Sequence, residues 1–318
     1  MAKFKQIDLS GVKTIPIAAR KSKVTTKDFA RVYNPRKEPF SRFVASMPHV
    51  MIADDLRRVV EDIVKARRRK KPVIMLIGAH VIKVGLSPLI VDLVKKRVIT
   101  ALAMNGAAAI HDVETAMWGK TSEDVAAYIV DGRFGMSRET GEFINGAVGK
   151  GILEGDGGFG EAVAKEVIRR KAPNRKMSIL AECYTRGVPV SVHVAIGTDI
   201  VHQQPTMDGA ATGEMTFRDF RVLCNVVKDL GSGGVVLNVG SAVVLPEVFL
   251  KALTVARNLG HRVQNFTTVN FDMLRHYRPT VNVVERPIQQ AGRGYNITGH
   301  HEIMIPLLCA MINVRLTL

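Results

Sequence analysis

Apolar positions along the chain follow helical and strand-like rhythms in turn. From Asp54, residues Leu56, Val59, Val60, Ile63 and Val64 fall at i, i+3, i+4, i+7 and i+8, the stripe of an amphipathic helix. Asp54 and Asp55 suit its N-terminus, where the helix dipole favours negative charge. The run Val73–Ile77 is short and wholly apolar, and predicts a buried strand. Leu86–Lys96 reads as a helix, Val98–Met104 as a strand and Ala107–Trp118 as a further helix. Residues 121–171 read as mostly helical, broken near Gly149–Gly158. Three helix–glycine–strand units follow. They are Ile179–Arg186, Gly187 and Val188–Val194; Phe217–Leu230, Gly231 and Val235–Leu237; and Leu245–Leu259, Gly260 and Val263–Val269. Glycine just past a helix supplies the left-handed backbone that ends it. Apolar strands separated by helices predict an α/β fold, a mostly parallel sheet with helices on both faces.

Residues 1–50 show no sustained period and contain Pro16, Pro35, Pro39 and Pro48. They are expected to form an extended basic arm, leaving 51–318 as a single α/β domain of nucleotide-binding type. The longest apolar stretch begins at Pro72 and is interrupted by His80 and Lys83, too early for a membrane span. No secretory signal is expected at the start. Cys183, Cys224 and Cys309 lie far apart, which fits buried thiols in a reducing compartment, so a cytoplasmic location is expected.

Charge changes the picture in two places. The chain carries a formal net charge of +16. Residues 1–43 hold eleven Lys/Arg against three Asp/Glu, half of that excess. A second cluster, Lys65 and then Arg67 to Lys71, ends the first predicted helix. Cations there complement the dipole, and they would equally suit an anionic partner. No nucleic-acid motif accompanies them, so nucleic acid is not the expected partner.

Open parallel sheets of this Rossmann-like kind bind ligands beyond the carboxyl ends of their strands. The turns after the predicted strands are Gly78-Ala79-His80, Asn105-Gly106-Ala107, Gly197-Thr198-Asp199, Asn238 to Ser241, and Thr267 to Asp272. All are rich in small and hydrogen-bonding residues, and five of them on one rim predict a nucleotide-sized ligand. Gly155-Asp156-Gly157-Gly158-Phe159-Gly160 matches the dinucleotide fingerprint literally, yet no strand precedes it, so it reads as a linker between helices. Among nine histidines, His80, His111, His193, His202, His300 and His301 fall at strand ends or helix starts. They could act in acid–base chemistry. Adjacent histidines diverge on a helix, and no metal site is expected.

From about Pro72 to Leu308 the order of motifs resembles deoxyhypusine synthase, which uses NAD to transfer a butylamine unit from spermidine to a protein lysine. Ile77–Ser87 is similar to the family's first nucleotide loop, and Ala103–Asp112 to its Thr-Ala-Gly-Gly segment. Thr198-Asp199 matches its Thr-Asp turn, Leu237–Ala242 its glycine-rich strand end, and Thr267-Thr268-Val269 its Asn-Thr-Ala turn. Pro306-Leu307-Leu308 matches the family's final helix. The resemblance implies a deoxyhypusine-synthase-like fold and an NAD site. That site would be made by Gly78, His80, Asn105, Gly106, Thr198, Asp199, Gly240, Ser241, Thr267 and Thr268. It also implies a homotetramer.

The chain departs from the family where chemistry is decided. The family's nucleophilic lysine sits shortly before the last strand, and no lysine follows Lys251 here. The acidic spermidine-binding run is replaced by Asp272-Met273-Leu274-Arg275-His276-Tyr277-Arg278. The expectation is therefore an NAD-binding enzyme acting on an anionic or neutral small molecule. His111 with Asp112, and His301 with Glu302, would move protons. Asp272, Arg278, Arg286 and Arg293 would contact the substrate, the arginines through charge-assisted hydrogen bonds. Alternatives are a true deoxyhypusine or homospermidine synthase-type transferase recruiting Lys83 or Lys120, a metal-dependent hydrolase, and a non-enzymatic nucleic-acid or anion-binding protein.

Overall fold

Val73–Ile77, five apolar residues bounded by Pro72 and Gly78, form strand β1 and are buried throughout. In the computed structural model, which describes residues 3–155 and 157–317, five further strands join it. They are β2 (Ala101–Asn105), β3 (Val190–His193), β4 (Val235–Val239), β5 (Phe266–Asp272) and β6 (Gly292–Thr298). All pairings are parallel and the order is β3-β2-β1-β4-β5-β6. The chain winds outwards from β1 in one direction, then returns to wind in the other. The reversal lies between β1 and β4, in register from Val73 opposite Val235 to Ile77 opposite Val239. Such a switch point opens a crevice at the carboxyl ends of the two strands.

The core explains why the sheet must be covered. Ile74, Leu76, Ala101, Ala103, Val236 and Phe266 share one buried cluster with Leu223 and Val227 of helix Gly209–Val227. Phe249 and Leu253 of helix Val244–Asn258 belong to the same cluster. Phe249 is fully buried, and burial of such a side chain stabilises the fold by about 1.5–3 kcal/mol. Asparagines in three neighbouring strands form a ladder across the sheet. Asn238 donates to Asn270 at 2.8 Å, and Asn270 to Asn296 at 3.3 Å, across β4, β5 and β6.

The helical break at Gly155–Gly158 separates helix Arg138–Glu154 from helix Phe159–Arg169, and no strand precedes it. Asp156 of that motif lies outside the described residues. Other expectations need correction. β5 begins three residues later than the apolar pattern predicts, and β6 is not predicted at all. Helix Gly209–Val227 starts eight residues before the expected Phe217. Helix Met51–Arg68 begins at Met51 rather than Asp54. Gly187 and Gly260 take the left-handed backbone expected of them, at φ 62° and 86°. Gly231 does not; a Cβ there would come within 2.6 Å of the Arg262 carbonyl, so close packing requires it.

The chain divides into two compact units, Met1–Asp54 and Asp55–Leu318. The first is not simply extended. It holds the turns Ile17–Ala19 and Thr26–Asp28 and a helix, Phe40–Ser46. Phe43 meets Tyr33 edge-on and Phe40 at a tilt, each at a centroid distance of 5.5 Å, so the short helix packs on Tyr33. Among the described residues, no helix is long and apolar enough to cross a membrane.

Candidate functional site

At the switch point, the turns after β1 and β4 press against each other. A Cβ on Gly78 would lie 2.0 Å from the Gly240 carbonyl oxygen, so only glycine fits. Gly240 itself has φ 66°, and a Cβ on it would stand 3.1 Å from the His301 ring. His301 is buried at the start of the helix after β6, and its ring centroid is 5.5 Å from that of His80. His301 Nε2 lies 3.3 Å from the Phe271 carbonyl oxygen, which can only accept. The proton therefore sits on Nε2, and Nδ1 is a buried acceptor without a partner. Burial holds the His301 pKa below its ordinary value, keeping the ring neutral. A second orphan acceptor lies near the carboxyl end of β4. Asn238 uses its amide nitrogen on the Ser241 carbonyl and on Asn270, and its Oδ1 has no partner. Helix Val244–Asn258 starts from Val243 with no side-chain cap, and the Ser241 hydroxyl accepts only from the Leu245 amide. Its remaining first-turn amides suit an anion.

Beside the switch point, a cleft of about 830 Å³ opens beyond β2 and β3. Helix Ala79–Lys83 brings Lys83 to its wall, helix Gly106–Trp118 brings His111, Glu114 and Trp118, and the loop after β3 brings Thr198 and Asp199. The histidine is held by a relay. Thr121 Oγ1 donates to Glu114 Oε2 at 2.5 Å and lies 2.5 Å from His111 Nδ1. Thr140 donates to the other Glu114 oxygen at 3.1 Å. Burial raises the Glu114 pKa, but the hydrogen bonds from His111, Thr121 and Thr140 outweigh it and keep the carboxylate ionised. An ionised carboxylate can only accept, so the Thr121 proton points at Glu114, and Thr121 must accept from His111 Nδ1–H. Whenever the ring is neutral, this arrangement leaves the lone pair on Nε2, as a general base requires.

Asp199 faces His111 from the other loop. Burial pushes its pKa up to about 6, against the opposing influence of the Ala107 amide and His111. Its carboxylate occupies the N-terminus of helix Gly106–Trp118. A Cβ on Gly106 would fall 2.0 Å from Asp199 Oδ2, which explains the glycine. His202 shapes the turn, with its Nδ1 accepting from the Gly197 and Asp199 amides at 3.1 and 3.2 Å. The cleft wall carries Glu114, Glu123, Asp124, Glu139 and Asp199 against Lys83 and Lys120, a net negative surface.

No family model matches the sequence, and no curated protein matches it by sequence. Solved structures do resemble the chain. A conserved LOR/SDH protein from Methanococcus maripaludis S2 superposes with a TM-score of 0.53 at 16% identity, over 85% of this chain and 71% of the other. A protein from Entamoeba histolytica assigned as a deoxyhypusine synthase gives 0.53 at 10% identity, over 88% of this chain and 96% of the other. AgrE, in a ternary complex with ornithine and NAD+, also gives 0.53, at 14% identity. The match covers 82% of this chain but only 33% of AgrE. The chain has the deoxyhypusine-synthase-like fold.

Within that deoxyhypusine-synthase-like frame, the expected site residues separate into groups. Gly78, His80, Gly240, Ser241 and His301 meet at the switch point, while Gly106, His111, Thr198 and Asp199 belong to the cleft. Asn105 caps the helix after β2 by accepting from the Ala108 amide at 3.0 Å. Asp272 ends β5, and its Oδ1 accepts from the Met273 amide. Thr267 and Thr268 do not lie in a turn. They are inside β5, and Thr267 with Arg293 stands at the amino end of the sheet, where both hydrogen-bond to Asp62. Asp112 points away from His111, since neighbouring helical residues diverge by about 100°. It is buried and accepts from Ser178 at 2.5 Å and from the Ile179 amide at 2.7 Å. It holds the start of helix Ile179–Thr185 and does not face the cleft. Arg278 and Arg286 contact Glu247 and Asn282, so with Arg293 elsewhere the three arginines do not converge. Glu302 is exposed beside His300. Glu114 and Thr121 were missed, although Glu114 lies three positions after His111 and hence on the same helix face.

Proposed function

We propose that this protein is an enzyme that binds NAD at the switch point between β1 and β4 and converts a neutral or amine-bearing small molecule in the adjoining cleft. The observation that carries the reading is the His111–Thr121–Glu114 relay on the wall of that cleft. The switch point fits a dinucleotide by its orphans. His301 Nδ1 and Asn238 Oδ1 are acceptors, and a dinucleotide's ribose hydroxyls and carboxamide are donors. The first turn of helix Val244–Asn258 would face its phosphates. A bound nicotinamide supplies hydride transfer. The chain's own residues orient the substrate, and His111 Nε2 takes up the proton released beside it. The carboxylate excess of the cleft disfavours an anionic substrate, and the arginines expected to hold an anion stand elsewhere.

Lys83 and Lys120 both line this cleft, which favours one second reading, a transferase whose accepting lysine has moved. Incubation with spermidine and NAD, followed by peptide mass spectrometry, tests it; a butylamine adduct on neither lysine removes it.

For the leading reading, the assay is consumption of neutral and amine-bearing compounds with NAD present, followed by nicotinamide absorbance and mass spectrometry. His111→Gln is expected to lose about 100-fold or more in turnover while melting within a few degrees of the parent. Undiminished turnover in that variant refutes the assignment.

A further inference from the structure

The amino edge of the sheet, the opposite edge from the cleft, holds a concave site of its own. A cavity of about 260 Å³ is bounded by Asp62, Lys65 and Arg69, by Ser232 and Asn265 in the turns before β4 and β5, and by Arg293 at the start of β6. Asp62 is buried at its side. One of its oxygens accepts from Arg293 Nη2 at 2.7 Å and the other from Thr267 Oγ1 at 2.8 Å. The carboxylate is thereby fully engaged and fixes the arginine at the cavity wall. Lys65 and Arg69 are exposed and, among the described residues, make no ion pair or side-chain hydrogen bond. They stand four positions apart, on one side of the helix end.

Three cations against one carboxylate leave an excess of two positive charges around the cavity. We propose that this cavity binds the phosphate group of a phosphate monoester. A monoester carries −1.5 to −2 charge near pH 7, which matches the excess, whereas a carboxylate carries half of that. The guanidinium forks of Arg69 and Arg293 suit pairs of phosphate oxygens, and Lys65 adds a point charge. The Ser232 hydroxyl and the Asn265 side-chain amide, neither engaged by another described residue, offer further donors. At about 30 Å³ per water, the volume exceeds what a bare phosphate fills, which leaves room for part of the group it is esterified to.

The test is calorimetric titration of the full chain with inorganic phosphate and with phenyl phosphate, at an ionic strength held constant with chloride. Both bind saturably, and Lys65→Ala/Arg69→Ala weakens them by about 100-fold, roughly tenfold for each lost charge-assisted contact. Because neither side chain has a partner, the variant's melting temperature in chloride stays at the parent value; Lys65→Gln alone, weakened about tenfold, is the check should it not. An oligonucleotide without terminal phosphate, offering only diesters, fails to compete. Absence of phosphate binding, equal binding by the double variant, or tighter binding of the oligonucleotide than of phenyl phosphate overturns the proposal.

Discussion

Thr121→Val removes one hydroxyl and leaves a side chain of nearly the same shape, and so isolates the relay behind His111. In the parent protein the Thr121 oxygen stands 2.5 Å from both His111 Nδ1 and Glu114 Oε2. Moving the His111 proton to Nε2 would set two lone pairs face to face and sacrifice a hydrogen bond linked to a charged carboxylate. That bond contributes about 1.5–3 kcal/mol, so the Nδ1–H tautomer should dominate by roughly 10- to 150-fold. Thr121→Val deletes the bond, frees the ring to change tautomer, and removes one of the donors that keep the Glu114 carboxylate below its ordinary pKa. Nitrogen-15 NMR of the histidine rings reads the tautomer directly and needs no substrate. The parent should show a protonated Nδ1 and a bare Nε2 at His111, and the variant a mixture. A parent ring protonated on Nε2, or a variant with an unchanged spectrum, refutes the general-base assignment whatever the substrate is.

Asp219 is buried and receives the Gly160 and Val192 amides on one oxygen, at 2.8 and 2.6 Å. Burial, against the pull of those amides, raises its pKa to about 8 from 3.8. The folded protein thus keeps a proton that the unfolded chain has released, so this contribution to stability is complete below about pH 4 and fades as pH rises through 8. At pH 7 the fading amounts to something on the order of 4 kcal/mol, from roughly three units at about 1.4 kcal/mol each. Asp219→Asn keeps an acceptor for both amides and should flatten the decline in urea midpoint between pH 5 and 8; an identical slope contradicts this. Gly78→Ala drives a Cβ into the Gly240 carbonyl and should cost about 1–3 kcal/mol in urea unfolding, whereas an unchanged midpoint would mean that the two turns do not pack as described.

The apolar strands near the start of the sheet were legible, although β2 begins at Ala101 and not at the expected Val98. β1 is read to the residue because Val73–Ile77 contains no polar interruption. β5 slipped by three residues because buried Thr267, Thr268 and Asn270 look like a turn until the asparagine ladder that pairs with Asn270 is seen. β6 was invisible, since Gly292 and Gly294 carry no hydrophobic signal. A Cβ at either would strike the Phe266 or Val284 carbonyl, a demand that only the folded chain reveals. Losing β6 is also what misplaced Arg293. Position in the chain was enough to place His111 and Asp199 beside the same cleft. The roles of Asp112 and Asp219 as buried carboxyl groups receiving amides at helix starts needed the three-dimensional partners. The literal dinucleotide fingerprint marks one of those starts, and an oxygen of the Asp219 carboxyl already accepts from its Gly160 amide.

The chain's one tryptophan, Trp118, lines the cleft, so excitation of its indole reports any reduced nicotinamide bound next door. Titration with NADH should give saturable energy transfer from Trp118 and a raised melting temperature. Emission that follows only inner-filter loss up to millimolar NADH, with no change in melting temperature, would contradict a dinucleotide site at the β1–β4 switch point.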